Sequence, residues 1–127
     1  MTNGGEAHKG IAYLKDFISQ CDALGCQIDF VVAHYYGTDN IDEFKNYLEN
    51  FHAAFPMKPV WVTEFGVNPG KGDANAFLKK AMEFMDSKEW IHRYAYHMVA
   101  PDVEGKSYLV NSAGTGLSST GSTFAYA

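Results

Sequence analysis

The fold of this chain is decided by residues 58–66, which read Lys-Pro-Val-Trp-Val-Thr-Glu-Phe-Gly and place one carboxylate at the end of an otherwise apolar strand. Side chains alternate along a strand, so strict alternation predicts that Glu64 shares a face with Val60 and Val62. An ionised carboxylate among apolar side chains is costly unless something pairs with it or uses it. Glu64 is therefore a candidate catalytic group. A carboxylate that is only solvated or ion-paired is the alternative, and it stays open at this point.

Three strand-like runs recur along the chain, at residues 28–35, 60–65 and 91–99. Their starts lie about thirty residues apart, which is the length of one strand-helix unit. A strand that returns at this interval, with a helix in between, is typical of a parallel sheet. The spacing therefore predicts an α/β chain.

Helical patterns fill the gaps between these runs. Apolar residues follow the 3.6-residue period at residues 11–21, 41–55 and 77–85. Asn40 and Asp73 stand directly before the second and third of these stretches, where an N-cap is expected. The sequence therefore predicts three helices, with defined starts for the second and third.

The chain is short for the fold that these units suggest. An eight-unit (β/α)8 barrel usually takes about 250 residues. Three strands with four helical segments, the last a weak one at residues 118–126, amount to less than half of a barrel. We therefore expect residues 1–127 to form one partial barrel domain. If Val60 and Val62 line its interior, Glu64 lies at the C-terminal rim, where barrel enzymes keep their catalytic groups. A complete small three-layer α/β domain is the alternative.

Composition excludes two classes of partner. The 127 residues are 46% hydrophobic, enough for one packed core. The formal net charge is -5 and no basic run occurs, so nucleic acid is not an expected partner. No apolar run approaches the roughly 20 residues that span a membrane, and residues 1–5 lack the pattern of a signal peptide.

The two cysteines, Cys21 and Cys26, lie five residues apart. They could close a small disulfide loop in an oxidising compartment, and two buried free thiols fit the pattern equally well. Both interpretations stay open. Two cysteines alone cannot form a tetrahedral zinc site.

No metal or cofactor is predicted. His34, His52, His92 and His97 show no HExxH or other ligand spacing. The sequence contains no GxSxG elbow, no phosphate-binding Walker loop and no GxGxxG. We therefore expect chemistry that side chains alone can perform.

His34 ends the first strand run, and alternation places it on one face with Phe30 and Val32, with Tyr36 following. These side chains and Glu64 would form an aromatic and polar rim. A pyranose ring packs its apolar face on aromatic rings and needs hydrogen bonds at its hydroxyls, which Tyr, His and Glu supply. A sugar is therefore the predicted ligand, although a hydrogen-bonded core histidine is the alternative for His34 alone.

The third strand run offers two further side chains that could reach the rim. Alternation puts Tyr94 and Tyr96 on one face, and Arg93 and His97 on the other. Either Tyr96 or His97 would reach the rim. Arg93 would pair with an acidic neighbour, to orient it or as an ordinary structural ion pair.

Residues 28–37, 59–66 and 93–96 together resemble the catalytic domain of glycoside hydrolase family 128, and the similarity extends to residues 117–126. Each piece is short, but their order and spacing are fairly specific. The resemblance implies a (β/α)8 barrel of fungal or bacterial origin that acts on β-1,3-glucan with retention of configuration. It makes the three strands the sixth, seventh and eighth of the barrel, so that this chain is the C-terminal portion. It also implies a polysaccharide partner and a secreted or wall-associated location.

The resemblance also assigns roles. Glu64 would be the catalytic nucleophile, and His34 and Tyr36 would bind substrate beside it. Tyr96 would also contact substrate, at a position where the family more often has Trp. The family's general acid/base lies in an Asn-Glu-Pro type motif on the fourth strand, and this sequence contains no such motif. A non-catalytic carbohydrate-binding or cell-wall interaction module derived from the same barrel is therefore the alternative function.

Overall fold

Three parallel strands alternate with helices, as the spacing predicts. A computed structural model describes residues 9–103 and 105–127. The sheet has the order β1-β2-β3, and both strand pairs are parallel, which confirms the α/β class. The elements in chain order are α1 (Gly10–Ala23), β1 (Val31–Gly37), α2 (Ile41–Ala54), β2 (Val60–Val67), α3 (Ala74–Asp86), β3 (Ile91–Tyr94) and α4 (Ser119–Tyr126).

Helices α2 and α3 begin where their capping residues predict. Asn40 Oδ1 accepts a hydrogen bond from the backbone N–H of Asp42 at 3.0 Å. Asp73 Oδ1 accepts from the N–H groups of Asn75 and Ala76 at 2.9 and 3.0 Å. Each bond satisfies a donor that has no partner inside its own helix, so α2 and α3 start at fixed residues.

One face of the sheet packs against α2 and α3 and forms the core. The side chains that this face shares with the two helices are almost fully buried: Val31, Ala33, Tyr35, Phe44, Leu48, Val60, Val62, Phe65, Phe77, Leu78 and Met85. Tyr35 meets the helices through an edge-on contact with Phe44 at 5.1 Å and a stacked contact with Phe77 at 6.3 Å. Burial of one such large apolar side chain stabilises the fold by about 1.5–3 kcal/mol.

A β-bulge at Thr63 corrects the predicted orientation of Glu64. Ala33 pairs with Val62, but the next residue of β1, His34, pairs with Glu64, so Thr63 is an extra residue in β2. Paired residues point to the same side of a sheet, and His34 points away from Ala33. Glu64 therefore lies on the face opposite the two valines of β2, which are fully buried against the helices. The prediction that it shares their face, and that they line a barrel interior, is wrong.

The third strand is shorter than predicted and ends at Tyr94 instead of Val99. Its backbone still bonds to β2 beyond that point: the N–H of Ala95 donates to the carbonyl of Val62, and the N–H of His97 donates to the carbonyl of Phe65. Residues 98–101 then pair with residues 109–110. The chain thus folds back as a loop beside the C-terminal ends of the strands.

Cys21 and Cys26 form a disulfide, which decides between the two interpretations that the sequence left open. The bond joins the end of α1 to the segment that leads into β1, with Gly25 between them at φ +72°. Glycine adopts this left-handed conformation without steric cost, so α1 ends just before it. Within the described ranges, no helix has the length and apolar character needed to cross a membrane.

Candidate active site

Four side chains come together at the C-terminal ends of β1 and β2, on the sheet face turned away from α2 and α3. His34 and Tyr36 come from β1, and Thr63 and Glu64 come from β2. All four are partly buried. The parallel pairing sets both strand ends at one edge, and the bulge places Thr63 and Glu64 on the sheet face that carries His34.

The carboxylate of Glu64 is held by two neighbours. Tyr36 Oη donates a hydrogen bond to Glu64 Oε2 at 2.6 Å, and His34 Nδ1 lies 3.6 Å from the same oxygen. The Tyr36 hydrogen bond lowers the pKa of Glu64 below its ordinary value; burial opposes this, and the His34 and His97 rings reinforce it. Glu64 is therefore ionised at neutral pH while its side chain remains 38% exposed.

His34 is more enclosed than the carboxylate, with its side chain only 15% exposed. Its Nε2 shares a hydrogen bond with Thr63 Oγ1 at 2.8 Å. Burial lowers the pKa of His34, and the attraction of Glu64 offsets only part of that effect. The imidazole is therefore neutral at pH 7, so that one ring nitrogen donates and the other accepts.

The phenol of Tyr36 stays protonated at neutral pH and well above it. Burial, and then the hydrogen bond to Glu64, raise the pKa of its phenol well above the ordinary value. A neutral phenol can donate to a carboxylate, whereas a phenolate would repel it. Tyr36 is thus a permanent donor to Glu64.

His97 and Tyr108 extend the site toward β3. The His97 ring meets Tyr36 edge-on at 5.7 Å, and it meets Tyr108 in the same manner at 6.1 Å. Strand alternation left Tyr96 and His97 as the two candidates for the rim, and nothing in the sequence pointed to Tyr108. No local signal in the sequence separates His97 from Tyr96, because Tyr96 is buried through contacts with Phe65 and α4 that are distant in sequence.

Tyr96 lies below this rim. It is only 5% exposed and packs edge-on against Phe65 at 5.4 Å. Burial, and then the charge of Asp102, raise the pKa of its phenol to about 12. The structure does not bring Tyr96 into contact with Glu64 as it does His34 and Tyr36, and its role in substrate binding stays a prediction.

A cavity of about 170 Å³ opens beside Tyr36. Residues 66–69 form one wall as the chain leaves β2, and the remaining lining consists of Tyr96, His97, Lys106 and Tyr108. The cavity thus combines aromatic walls with hydroxyl, imidazole and ammonium groups. These are the groups that a sugar needs for stacking and for hydrogen bonding.

The same sheet face carries an aromatic stack at its N-terminal end. The rings of Phe30 and Trp61 stack at 3.8 Å, and the guanidinium of Arg93 lies 5.3 Å from the Trp61 ring. Arg93, which the sequence predicted to pair with an acid, thus contacts an aromatic face. Within residues 9–103 and 105–127, no three His, Cys, Asp or Glu side chains are grouped so as to hold a metal ion.

The fold is similar to that of solved β-1,3-glucanase structures. The endo-β-1,3-glucanase of glycoside hydrolase family 128 subgroup IV from Lentinula edodes is 30% identical, with a TM-score of 0.85, over 96% of this chain and 53% of that one. The subgroup II endo-β-1,3-glucanase from Sorangium cellulosum is 26% identical, with a TM-score of 0.80, over 94% of this chain and 48% of that one. The fold is thus similar to that of family 128 barrel enzymes, and the chain spans about half their length.

Sequence comparison gives the same relationship. Alkali-sensitive linkage protein 1 of Schizosaccharomyces pombe (strain 972 / ATCC 24843) is 29% identical over 91% of this chain and 23% of its own length. Residues 1–124 match the family model described as the glycosyl hydrolase catalytic core. A match over nearly the whole chain confirms the resemblance found in the sequence. The chain belongs to the glycosyl hydrolase catalytic core family.

Proposed function

We propose that this chain supplies the nucleophile side of a retaining glycoside hydrolase that acts on β-1,3-glucan. The observation that carries the proposal is Glu64, an ionised and partly exposed carboxylate at the C-terminal end of a central parallel strand, held by Tyr36 and His34. Similarity to two endo-β-1,3-glucanases supports the substrate class. In this proposal β1, β2 and β3 are the sixth, seventh and eighth strands of a (β/α)8 barrel.

Glu64 acts as the nucleophile that attacks the anomeric carbon. Tyr36 and His34 both approach Oε2, so Oε1 is the oxygen that forms the bond to the sugar. A retaining mechanism needs a second carboxyl group about 5–5.5 Å away, which protonates the leaving oxygen and then activates water. We assign that group to a part of the barrel outside residues 1–127, because nothing in the sequence context of Asp73, Asp102 or Glu104 marks an acid catalyst.

His34, Tyr36 and Tyr96 bind the substrate in this proposal. His34 lies against the carboxylate, Tyr36 bonds it and also lines the adjoining cavity, and Tyr96 is part of the lining of that cavity. The cavity accommodates a glucosyl unit next to the one under attack. Aromatic walls pack on the apolar face of the sugar, and the polar groups bind its hydroxyls.

The disulfide supports a secreted or wall-associated location, because disulfides persist in oxidising compartments. Titration with a thiol reagent under denaturing, non-reducing conditions tests this point on protein recovered from its natural source. We expect no reaction of Cys21 or Cys26 until a reductant is added. Two free thiols in that protein would contradict the proposed location.

The proposal is tested in a complete barrel. In a chimera, this chain replaces the corresponding half of the Lentinula edodes glucanase. The match covers 96% of this chain and 53% of the glucanase. We expect laminarin hydrolysis by the chimera and a loss of about 10³-fold or more in Glu64→Gln. Glu83→Gln, at an exposed position of α3, is the matched control and keeps full activity. A 2-deoxy-2-fluoro glucosyl donor traps the glycosyl-enzyme, and peptide mass spectrometry then locates the label on Glu64.

Two outcomes would contradict the proposal. Unchanged hydrolysis in Glu64→Gln, or a label on another residue, would show that Glu64 is not the nucleophile. A folded chimera that binds laminari-oligosaccharides, does not hydrolyse them and keeps its affinity in Glu64→Ala would favour the non-catalytic binding module.

The chain by itself gives a complementary test. Loss of general acid/base catalysis alone removes about 10²- to 10⁴-fold in rate, and we expect no measurable laminarin hydrolysis by the 127 residues alone. Robust hydrolysis that disappears in Glu64→Gln would contradict the assignment of the acid/base to another part of the barrel.

A further inference from the structure

Thr63 occupies a position that a regular strand would not give it. In regular pairing one residue of β2 faces each residue of β1, but the bulge sets Thr63 and Glu64 together opposite His34. Both then contact the same imidazole, Thr63 at Nε2 and Glu64 near Nδ1. Bulges recur next to active sites, where they re-aim side chains.

The proton on the His34 ring can be placed from these contacts. An ionised carboxylate only accepts, and a hydroxyl both donates and accepts. With the proton on Nδ1, the ring presents N–H to Glu64 Oε2 and accepts from Thr63 Oγ1–H at Nε2. With the proton on Nε2, the ring would turn a lone pair toward the carboxylate, which repels it. The hydroxyl bond at 2.8 Å is therefore compatible with both neighbours only when Thr63 donates.

We propose that Thr63 is a positioning residue, which donates its hydroxyl proton to His34 Nε2 and so keeps the ring N–H on Nδ1, facing the carboxylate of Glu64. The arrangement of hydroxyl, imidazole and carboxylate is that of a Ser-His-Asp triad with the roles exchanged. In the triad the carboxylate fixes the tautomer so that the hydroxyl can react. Here the hydroxyl fixes the tautomer, and the carboxylate is the group that reacts.

The effect of Thr63 on the reaction rests on the proposed function, in which Glu64 is the nucleophile. An Nδ1–H that faces Oε2 at 3.6 Å attracts that oxygen and favours one orientation of the carboxylate, which leaves the other oxygen to attack. Loss of the Thr63 hydroxyl lets the imidazole adopt the other tautomer, whose Nδ1 lone pair repels Oε2 and turns the carboxylate away from the orientation needed for attack. Substrate binding at the adjoining cavity does not depend on that proton, so the effect falls on kcat and leaves KM nearly unchanged.

The tautomer is measured directly in the 127-residue chain. Two-bond ¹H–¹⁵N correlation spectra at pH 7.5 distinguish a protonated ring nitrogen from an unprotonated one. We expect His34 in the Nδ1–H form in the unmodified chain and in Thr63→Ser, which keeps the hydroxyl. We expect a substantial population of the Nε2–H form in Thr63→Val, which keeps the branched shape and loses the donor. Thr38→Val, whose hydroxyl bonds Glu43 at 3.0 Å instead, is the control and leaves His34 unchanged.

A measurement on the unmodified chain is enough to contradict the inference, so the test does not depend on the folding of any variant. An Nε2–H tautomer in that chain, or an unchanged Nδ1–H tautomer in a folded Thr63→Val, contradicts it.

In the chimeric barrel, we expect kcat for laminarin to fall about tenfold or more in Thr63→Val and to recover in Thr63→Ser. The two failures remain distinguishable. If Glu64→Gln is fully active but the tautomer responds to Thr63→Val, only the proposed function is wrong. If Glu64→Gln is inactive but the tautomer does not respond, only the role of Thr63 is wrong.

Discussion

The two faces of the three-stranded sheet perform different tasks. The face that carries Val60 and Phe65 is fully buried against helices, and apolar contacts there hold the fold together. The face that carries Trp61 and Glu64 is partly exposed and holds hydrogen-bonded polar groups, with His34 next to the carboxylate. The difference shows that one strand can separate stability from chemistry, because successive side chains point to opposite sides.

The sharpest test of this separation compares two phenylalanines, one from each face. Phe65 is fully buried among aromatic neighbours, and Phe30 stacks on Trp61 at the partly exposed face. We expect Phe65→Ala to lower the free energy of unfolding by about 3–5 kcal/mol, since it leaves a cavity in the core. Phe30→Ala loses mainly one aromatic pair, worth about 1 kcal/mol. Urea unfolding of both variants measures the difference, and equal losses would contradict it.

A smaller effect is expected on the polar face of the sheet, where the protonation of His34 makes the free energy of unfolding depend on pH. Burial lowers the pKa of its imidazole below the ordinary value of 6.5. The unfolded chain then binds the proton more tightly, so the free energy of unfolding falls as the pH drops below 6.5. Among residues 9–103 and 105–127, the charged or titratable groups that shift the pKa of His34 are Glu64, which raises it, and His97, which lowers it.

We expect His34→Gln to flatten this decline, as measured by urea unfolding at pH 7.5, 6.5 and 5.5. His92→Gln is the matched control at an exposed position of β3 and preserves the decline. An identical pH dependence in His34→Gln and the unmodified chain would show that His34 does not titrate differently on folding.

The smallest expected effect concerns the hydroxyl of Tyr36. Tyr36→Phe removes the hydrogen bond that does most to lower the pKa of Glu64, so we expect that pKa to rise toward its ordinary value of 4.5. Because the carboxylate is more than one third exposed, solvent screens the interaction, and the free energy of unfolding changes by less than about 1 kcal/mol.

Carboxyl ¹³C NMR during an acid titration measures the pKa of Glu64 in this variant. Tyr13→Phe, at an exposed position of α1, is the control and leaves the pKa in place. An unshifted pKa in Tyr36→Phe would mean that this hydrogen bond does not control the ionisation of Glu64.

The sequence alone determined the elements, their order and the identity of the candidate carboxylate. Helical periodicity and the caps at Asn40 and Asp73 depend on residues within one or two turns of each other, and the structure confirms them. The strand ends were less predictable. β1 begins at Val31 instead of residue 28, and β3 ends at Tyr94, because residues 98–101 pair with a later loop instead of continuing beside β2.

Only the tertiary structure decided which way the site residues point. Strict alternation placed Glu64 on the wrong face, because the bulge at Thr63 exists only through the pairing of β2 with β1, and no residue near it in sequence specifies that pairing. The choice between Tyr96 and His97 was likewise made by distant contacts, since Tyr96 is buried against Phe65 and α4. Local chemistry fixes which groups are available, and long-range pairing and packing fix which of them meet.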